Sequence, residues 1–289
     1  MSELSSELKK IIDLPTVDRL SQLITHGNSV VSKNEVTGSE RSTLVDEMVL
    51  LLNTGTGDGH QRRELGILLG RLGDPRLKEP RHDNYWVDIG LDHGGMIQVG
   101  QSLVSTAEFQ LWLSSGGYED ESNWSESGKR WRSKAQPTWS DLAEDPDVAH
   151  LVIPNHPVVG VNWYEADAYA RAHGARLLTN AERRWVVRGS EKRPYPWGQP
   201  FGDGNSNTRE ESLGQPCAIG LFLRDRTPDG VWDLAGNVAE WLQDETEAQR
   251  MLHPGSWVRP SMASWAKALE ISPPETRSAD LGFRLVREA

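Results

Sequence analysis

Apolar residues recur at three- and four-residue intervals through the first 80 positions, and that rhythm fades afterwards. Leu4–Leu14 and Val17–Ile24 carry the spacing of one helix face, and Pro15 separates them, which predicts two short helices. Thr43–Leu52 and Arg62–Leu72 predict two more, broken apart by the glycine-rich stretch Thr54–Gly59. In the last of these Leu65, Leu68, Leu69 and Leu72 share a face, and Gly73 and Pro75 end it. The polar run His26–Glu40, with Gly27 and Gly38, predicts a loop. Residues 1–80 are thus expected to be a small helical N-terminal segment, and 81–289 a second unit.

Past Pro80 the pattern becomes irregular. Tyr85–Ile89 predicts a strand, and Ser105–Leu113 a helix capped by Ser105 or Thr106 with Glu108 nearby. Glu119–Val152 lacks periodicity and predicts a long ordered loop layer holding Trp124, Trp131 and Trp139. Two capping boxes follow. Asn162 with Glu165 opens a helix through Ala172, closed by Gly174, and Thr179 with Glu182 opens a helix through Val187. Short strands are predicted at Ala218–Phe222, Val231–Leu234, Val238–Leu242, Gly255–Val258 and Gly282–Val286, with a loop over Pro194–Gly214. The class is α+β and unusually rich in loops.

Composition narrows the function. Twelve Trp against four Phe and five Tyr make indole the main aromatic filler, and each buried indole N–H needs an acceptor. A net charge of −11 argues against general nucleic-acid binding, which needs a basic surface. Cys217 is the only cysteine, so an internal disulfide or any mechanism needing a cysteine pair is excluded. No long apolar run suggests a membrane span, and the cytoplasm is the expected location. No Ser-His-Asp order, phosphate loop or metalloprotease pattern is visible.

Six segments appear in one order: Val104–Tyr118, His156–Glu182, Tyr195–Gly198, Gly230–Trp241, Pro254–Trp257 and Leu281–Leu285. Together they resemble the formylglycine-generating-enzyme, or sulfatase-modifying factor, family. The resemblance implies a loop-rich C-type-lectin-like domain preceded here by the helical segment. In formylglycine-generating enzymes two cysteines after the Gly-Ser-aromatic motif bind copper; the matching positions here are Arg259 and Ser264, neither able to act as a thiolate. Copper-dependent formylglycine formation is therefore not expected.

Three readings follow from the resemblance. In the first, the protein is a non-catalytic binder of an unidentified protein or small-molecule ligand. Its surface would follow the Gly-Ser-Trp motif, at Trp257, Arg259, Ser261, Ser264, Trp265, Lys267 and Arg277. The variable proteins of diversity-generating retroelements, which this domain also resembles, diversify the corresponding segment, here Val258 to Asp280. In the second, the chain is an oxygen-using non-haem metal enzyme similar to sulfoxide synthases, with ligands drawn from His82, His93, His156 or His253. In the third, the N-terminal helices of a regulatory subunit dock on a partner. The family resemblance also implies structural calcium, which takes about six to eight oxygens. Asn237, the Val238 carbonyl and Glu240 would form one set; Asn207 and the Thr208 carbonyl, with Glu210 or Asp225, a second.

Overall fold

Four helices open the chain: α1 (Ser6–Ile12), α2 (Thr16–Lys33), α3 (Gly38–Asn53) and α4 (Gly59–Leu72). The computed structural model describes residues 6–33, 38–134 and 138–289. The start of the expected helix Leu4–Leu14 and parts of the expected loops His26–Glu40 and Glu119–Val152 lie outside those residues. Helix α2 runs on to Lys33 where a loop was expected after Thr25. The stripe Leu20, Leu23, His26, Gly27 and Val30 is buried there, so burial overrides the polar composition of the outward face. A Cβ on Gly27 would sit 2.9 Å from the Met48 Cε, so glycine lets α2 and α3 close on each other.

Leu23, Leu44, Leu51, Leu65 and Leu69 are almost completely buried in one cluster with Leu213, Leu221 and Phe222. Each such side chain contributes roughly 1.5–3 kcal/mol by leaving water. The apolar faces of the four helices therefore close on one another and on the 213–222 loop. Polar contacts fasten the same seam. Arg62 donates to the Leu221 carbonyl, Arg63 Nη1 to the Leu213 carbonyl at 2.6 Å, and Asn155 Nδ2 to the Gly66 carbonyl at 2.9 Å.

The rest of the chain alternates short elements with long connections. In order they are β1 (Trp86–Gly90), β2 (Met96–Gly100), α5 (Thr106–Ser114), α6 (Glu126–Arg132), α7 (Trp139–Ala143), α8 (Pro146–Ala149), α9 (Trp163–Ala172), β3 (Arg176–Leu177) and α10 (Asn180–Arg188). There follow β4 (Ala239–Thr246), β5 (Gln249–His253), β6 (Glu270–Ser272), β7 (Leu281–Gly282) and β8 (Leu285–Glu288). They form two four-stranded sheets, β1-β2-β8-β3 and β6-β5-β4-β7, in which only the β4–β7 pair is parallel. Helices α5, α9 and α10 start on the capping boxes of Ser105, Asn162 and Thr179. Among its described residues the segment expected as loop at Glu119–Val152 holds α6, α7 and α8 and a single 3-10 turn at Glu121–Asn123. Its tryptophans are buried, with Trp124 Nε1 donating to the Tyr118 carbonyl at 2.9 Å and Trp139 Nε1 to the Val159 carbonyl at 2.8 Å.

Three expected strands are absent. Ala218–Phe222, Val231–Leu234 and Gly255–Val258 are turns or irregular backbone apart from an isolated bridge at Trp232, because side chains and scattered carbonyls rather than one neighbouring strand take their N–H groups. Gly220 N donates to Asp233 at 2.7 Å, Leu234 N to Asp225 at 3.0 Å, and Gly255 N to His253 Nδ1 at 3.2 Å. The expected strand Gly282–Val286 is split: β7 pairs with β4 in one sheet and β8 with β2 and β3 in the other. Arg284 stands at the crossing. It donates to the Gly100 and Trp232 carbonyls at 3.1 and 2.7 Å and to Glu240 at 3.1 Å.

Candidate functional site

The segment after Gly255 is held by main-chain bonds on both sides. Trp257 N donates to the Asn237 carbonyl at 3.0 Å, and Arg259 receives Arg209 N at 2.9 Å. Ser261 N donates to Glu210 Oε1 at 2.9 Å, and Ala266 N to the Pro194 carbonyl at 2.9 Å. A Cβ on Gly255 would stand 2.5 Å from the Ala235 carbonyl oxygen, so only glycine allows this approach. From that frame Met262 is 75% exposed, Ile271 51% and Trp265 45%, with Val258 and Leu269 also on the surface. These are five of the nine exposed large apolar side chains among the described residues, so exposed apolar surface is concentrated on this segment. Ile271 lies on β6, an edge strand. Tyr195 and Trp197 stack at 5.4 Å with Phe201 edge-on, half-buried, in the loop that Ala266 binds.

The residues expected at this surface separate into two groups. Arg259, Ser261, Trp265 and Lys267 reach it: Arg259 pairs with Glu270 at 2.9 Å, and the Lys267 ammonium lies 5.7 Å from the Trp265 ring centroid. Trp257, Ser264 and Arg277 do not. Trp257 packs beside Leu103, Leu151 and Val238 and donates to the Ala279 carbonyl at 3.3 Å. Ser264 is buried. Arg277 clamps Glu165, the α9 capping carboxylate, at 2.5 and 2.8 Å. Met262, Leu269 and Ile271 escaped the sequence reading because they follow no helix or strand period; apolar residues in a polar, aperiodic stretch were their only signal.

The domain interior holds a charged core. Glu240 accepts from Arg183 Nη2 at 2.7 Å and from Arg284 Nε at 3.1 Å, and all three are buried. Burial pushes the Glu240 carboxyl up, but the two guanidinium charges outweigh it and hold it below the usual glutamate value. Asp225 accepts N–H groups from Leu234 and Ala235 at 3.0 Å and the Ser206 hydroxyl at 2.5 Å. Burial pushes its carboxyl up to about 6 against those bonds.

This arrangement does not fit the first of the expected calcium sets. Both Glu240 oxygens face guanidinium groups, and Asn237 Oδ1 already accepts Cys217 N at 2.9 Å. Asn207 Oδ1 is a buried acceptor without a partner; Asp225 accepts main-chain N–H groups and the Ser206 hydroxyl, whereas the exposed Glu210 accepts the Ser261 N–H, shared between its two oxygens. The four histidines do not converge either. His82 and His93 are exposed, whereas His156 is buried near the helical seam and His253 is buried with Nε2 facing the Trp265 carbonyl at 3.2 Å. Among the described residues no three His, Cys, Asp or Glu side chains are grouped as metal ligands. No described helix is long and apolar enough to cross a membrane.

Comparison with known proteins places this geometry. The sulfatase-modifying factor enzyme 1-like domain matches residues 96–289, and the chain belongs to that family. It is 27% identical over 217 residues to the hercynine oxygenase of Mycolicibacterium thermoresistibile, covering 65% of this chain and 48% of that protein. It is 31% identical over 171 residues to the formylglycine-generating enzyme of Streptomyces coelicolor, covering 47% and 54%. The chain thus spans about half the length of the curated relatives it matches. Among solved structures, Treponema denticola variable protein 1 superposes with a TM-score of 0.49 at 16% identity, over 71% of this chain and 95% of that one.

Proposed function

We propose that this chain is a non-catalytic, ligand- or protein-binding member of the family, recognising a partner through the surface of Val258, Met262, Trp265, Leu269 and Ile271. The supporting observation is the concentration of exposed apolar side chains on a segment that main-chain bonds hold in place. A pre-ordered apolar surface loses little entropy on binding, and Trp is a favoured anchor. Arg259 and Ser264, at the positions matching the copper-binding cysteines, offer no thiolate.

A photo-crosslinking residue at Met262 tests the reading against the same residue at Val17, which is equally exposed at 75% on the helical segment. In a lysate of the source cells, capture of a discrete partner from position 262 but not from position 17 is expected. Equal capture from both, or none from 262, overturns the proposal. A second reading, an oxygen-using metal enzyme, draws on the relative called hercynine oxygenase. Oxygen uptake with added copper(I) or iron(II), a thiol reductant and candidate thiol and amine substrates separates the two. Metal-dependent turnover would establish the enzyme reading and sink the non-catalytic one.

A further inference from the structure

A cavity of about 350 Å³ opens between the end of α3, the segment after α4 and the loop around Arg226. Arg76, Lys78 and Arg226 line it, and none of its lining residues is Asp or Glu. In a chain of net charge −11 such a wall is contrary to composition. Asp74 pairs with Arg76 at 2.7 Å from a buried position and neutralises that one cation. The other two have no carboxylate partner among the described residues. Lys78 Nζ donates to the Asn84 carbonyl at 2.7 Å and to Gln101 Oε1 at 2.8 Å, which leaves one of its three N–H donors. Arg226 lies 4.9 Å from the Trp232 ring centroid, and the ring keeps the guanidinium plane in place without taking its charge.

The surroundings reinforce this imbalance. Burial pushes the Lys78 ammonium below the usual lysine range, as expected where no anion offsets desolvation. Asp233, behind Gly220, is pushed up to about 7 by burial and by Asp225, so it offers the cavity less than a full negative charge near neutrality. Near the end of α3 the Leu50, Leu52 and Leu51 carbonyls accept the Thr54, Gly55 and Thr56 N–H groups, so these three oxygens are not bare toward an anion. Tyr85, Ile219 and Trp232 add apolar surface, enough for a small organic body beside the charged group.

We propose that this cavity binds a small organic dianion, a phosphate monoester or a dicarboxylate, gripped by Lys78 and Arg226 with Gln101 and Ser102 as polar neighbours. This site is separate from the recognition surface and stands or falls without it. Calorimetric titration of the full chain with glycerol phosphate, inorganic phosphate and succinate, at constant ionic strength, distinguishes the two anion types. At least one is expected to bind with a dissociation constant below about 10 mM and to slow hydrogen exchange at the end of α3. R226Q, at an exposed position, is expected to weaken binding at least about ten-fold, the loss typical of one charge-assisted contact. R209Q, at an exposed arginine outside the cavity lining, should leave it unchanged. No heat and no exchange protection with any of the three anions, or equal binding by R226Q and the parent chain, overturns the proposal.

Discussion

The four N-terminal helices and the family domain bury their interiors by different means. The helices close leucine on leucine, with a few side-chain bonds such as Arg19 to Glu47 crossing between them. The domain surrounds aromatic clusters with buried Arg183, Asp225, Asp233 and Arg284, which bond backbone across distant parts of the chain, and with Glu240, which joins the two arginines. Apolar packing is non-directional and tolerates substitution. A buried ionic network fixes irregular backbone and is costly to break. The domain can therefore hold long loops in one shape, and the 255–271 segment joins it at Gly255, which packs on the carbonyl of Ala235, whose N–H is held by Asp225.

The largest expected effect breaks that network. Glu240→Ala would leave Arg183 and Arg284 buried without their shared carboxylate, at a cost of about 3–5 kcal/mol. Urea unfolding followed by tryptophan fluorescence measures it. If the cost stays under about 1 kcal/mol, the network is not what holds the loops. Because the network supports the 255–271 segment, the variant should also lose crosslinking from position 262 before it loses its helical circular dichroism.

The same contrast explains what the sequence disclosed. Capping boxes and the leucine periods are local, so α4, α5, α9 and α10 were legible, as was the family from its ordered motifs. Strands such as β5 and β6, and the turns at Ala218–Phe222 and Gly255–Val258, depend on partners far along the chain. The family resemblance makes Glu240 a calcium-ligand candidate; its two guanidinium partners come from α10 and from the β7–β8 crossing, far along the chain. Arg277 is expected as a contact because arginine is a favoured interface anchor, whereas Glu165 draws this one in.

A second prediction separates polar support that stabilises from polar support that is only tolerated. Glu108 is buried, with Oε2 accepting Ser105 N at 2.9 Å and Oε1 lacking a partner. Burial pushes its carboxyl up to about 7 from an ordinary 4.5, against the Ser105 bonds. A folded value above the unfolded one means its proton-linked stability is complete below about 4.5 and lost as pH rises through about 7. Glu108→Gln keeps an acceptor for Ser105 and stays neutral. It should therefore raise the melting temperature at pH 8, by up to about 3 kcal/mol in stability, and have little effect at pH 4.5. A variant less stable than the parent chain at pH 8 would mean that the ionised carboxylate is itself required.

The smallest effect is expected on the other side of the comparison, where one polar side chain organises an apolar helix. Asp58 accepts Gln61 N at 2.9 Å, and Gln61 Oε1 accepts Asp58 N at 3.2 Å, closing the capping box that starts α4. Both bonds are exposed, so water can replace them when one partner is removed. Asp58→Ala is expected to cost about 1 kcal/mol, and the Leu65–Leu69 face should keep α4 packed. Hydrogen exchange would then quicken in the first turn of α4 and remain slow at Leu68 and Leu69. If exchange instead quickens through the whole of α4, the cap rather than the leucine face holds the helical unit together, and the division between the two regions fails.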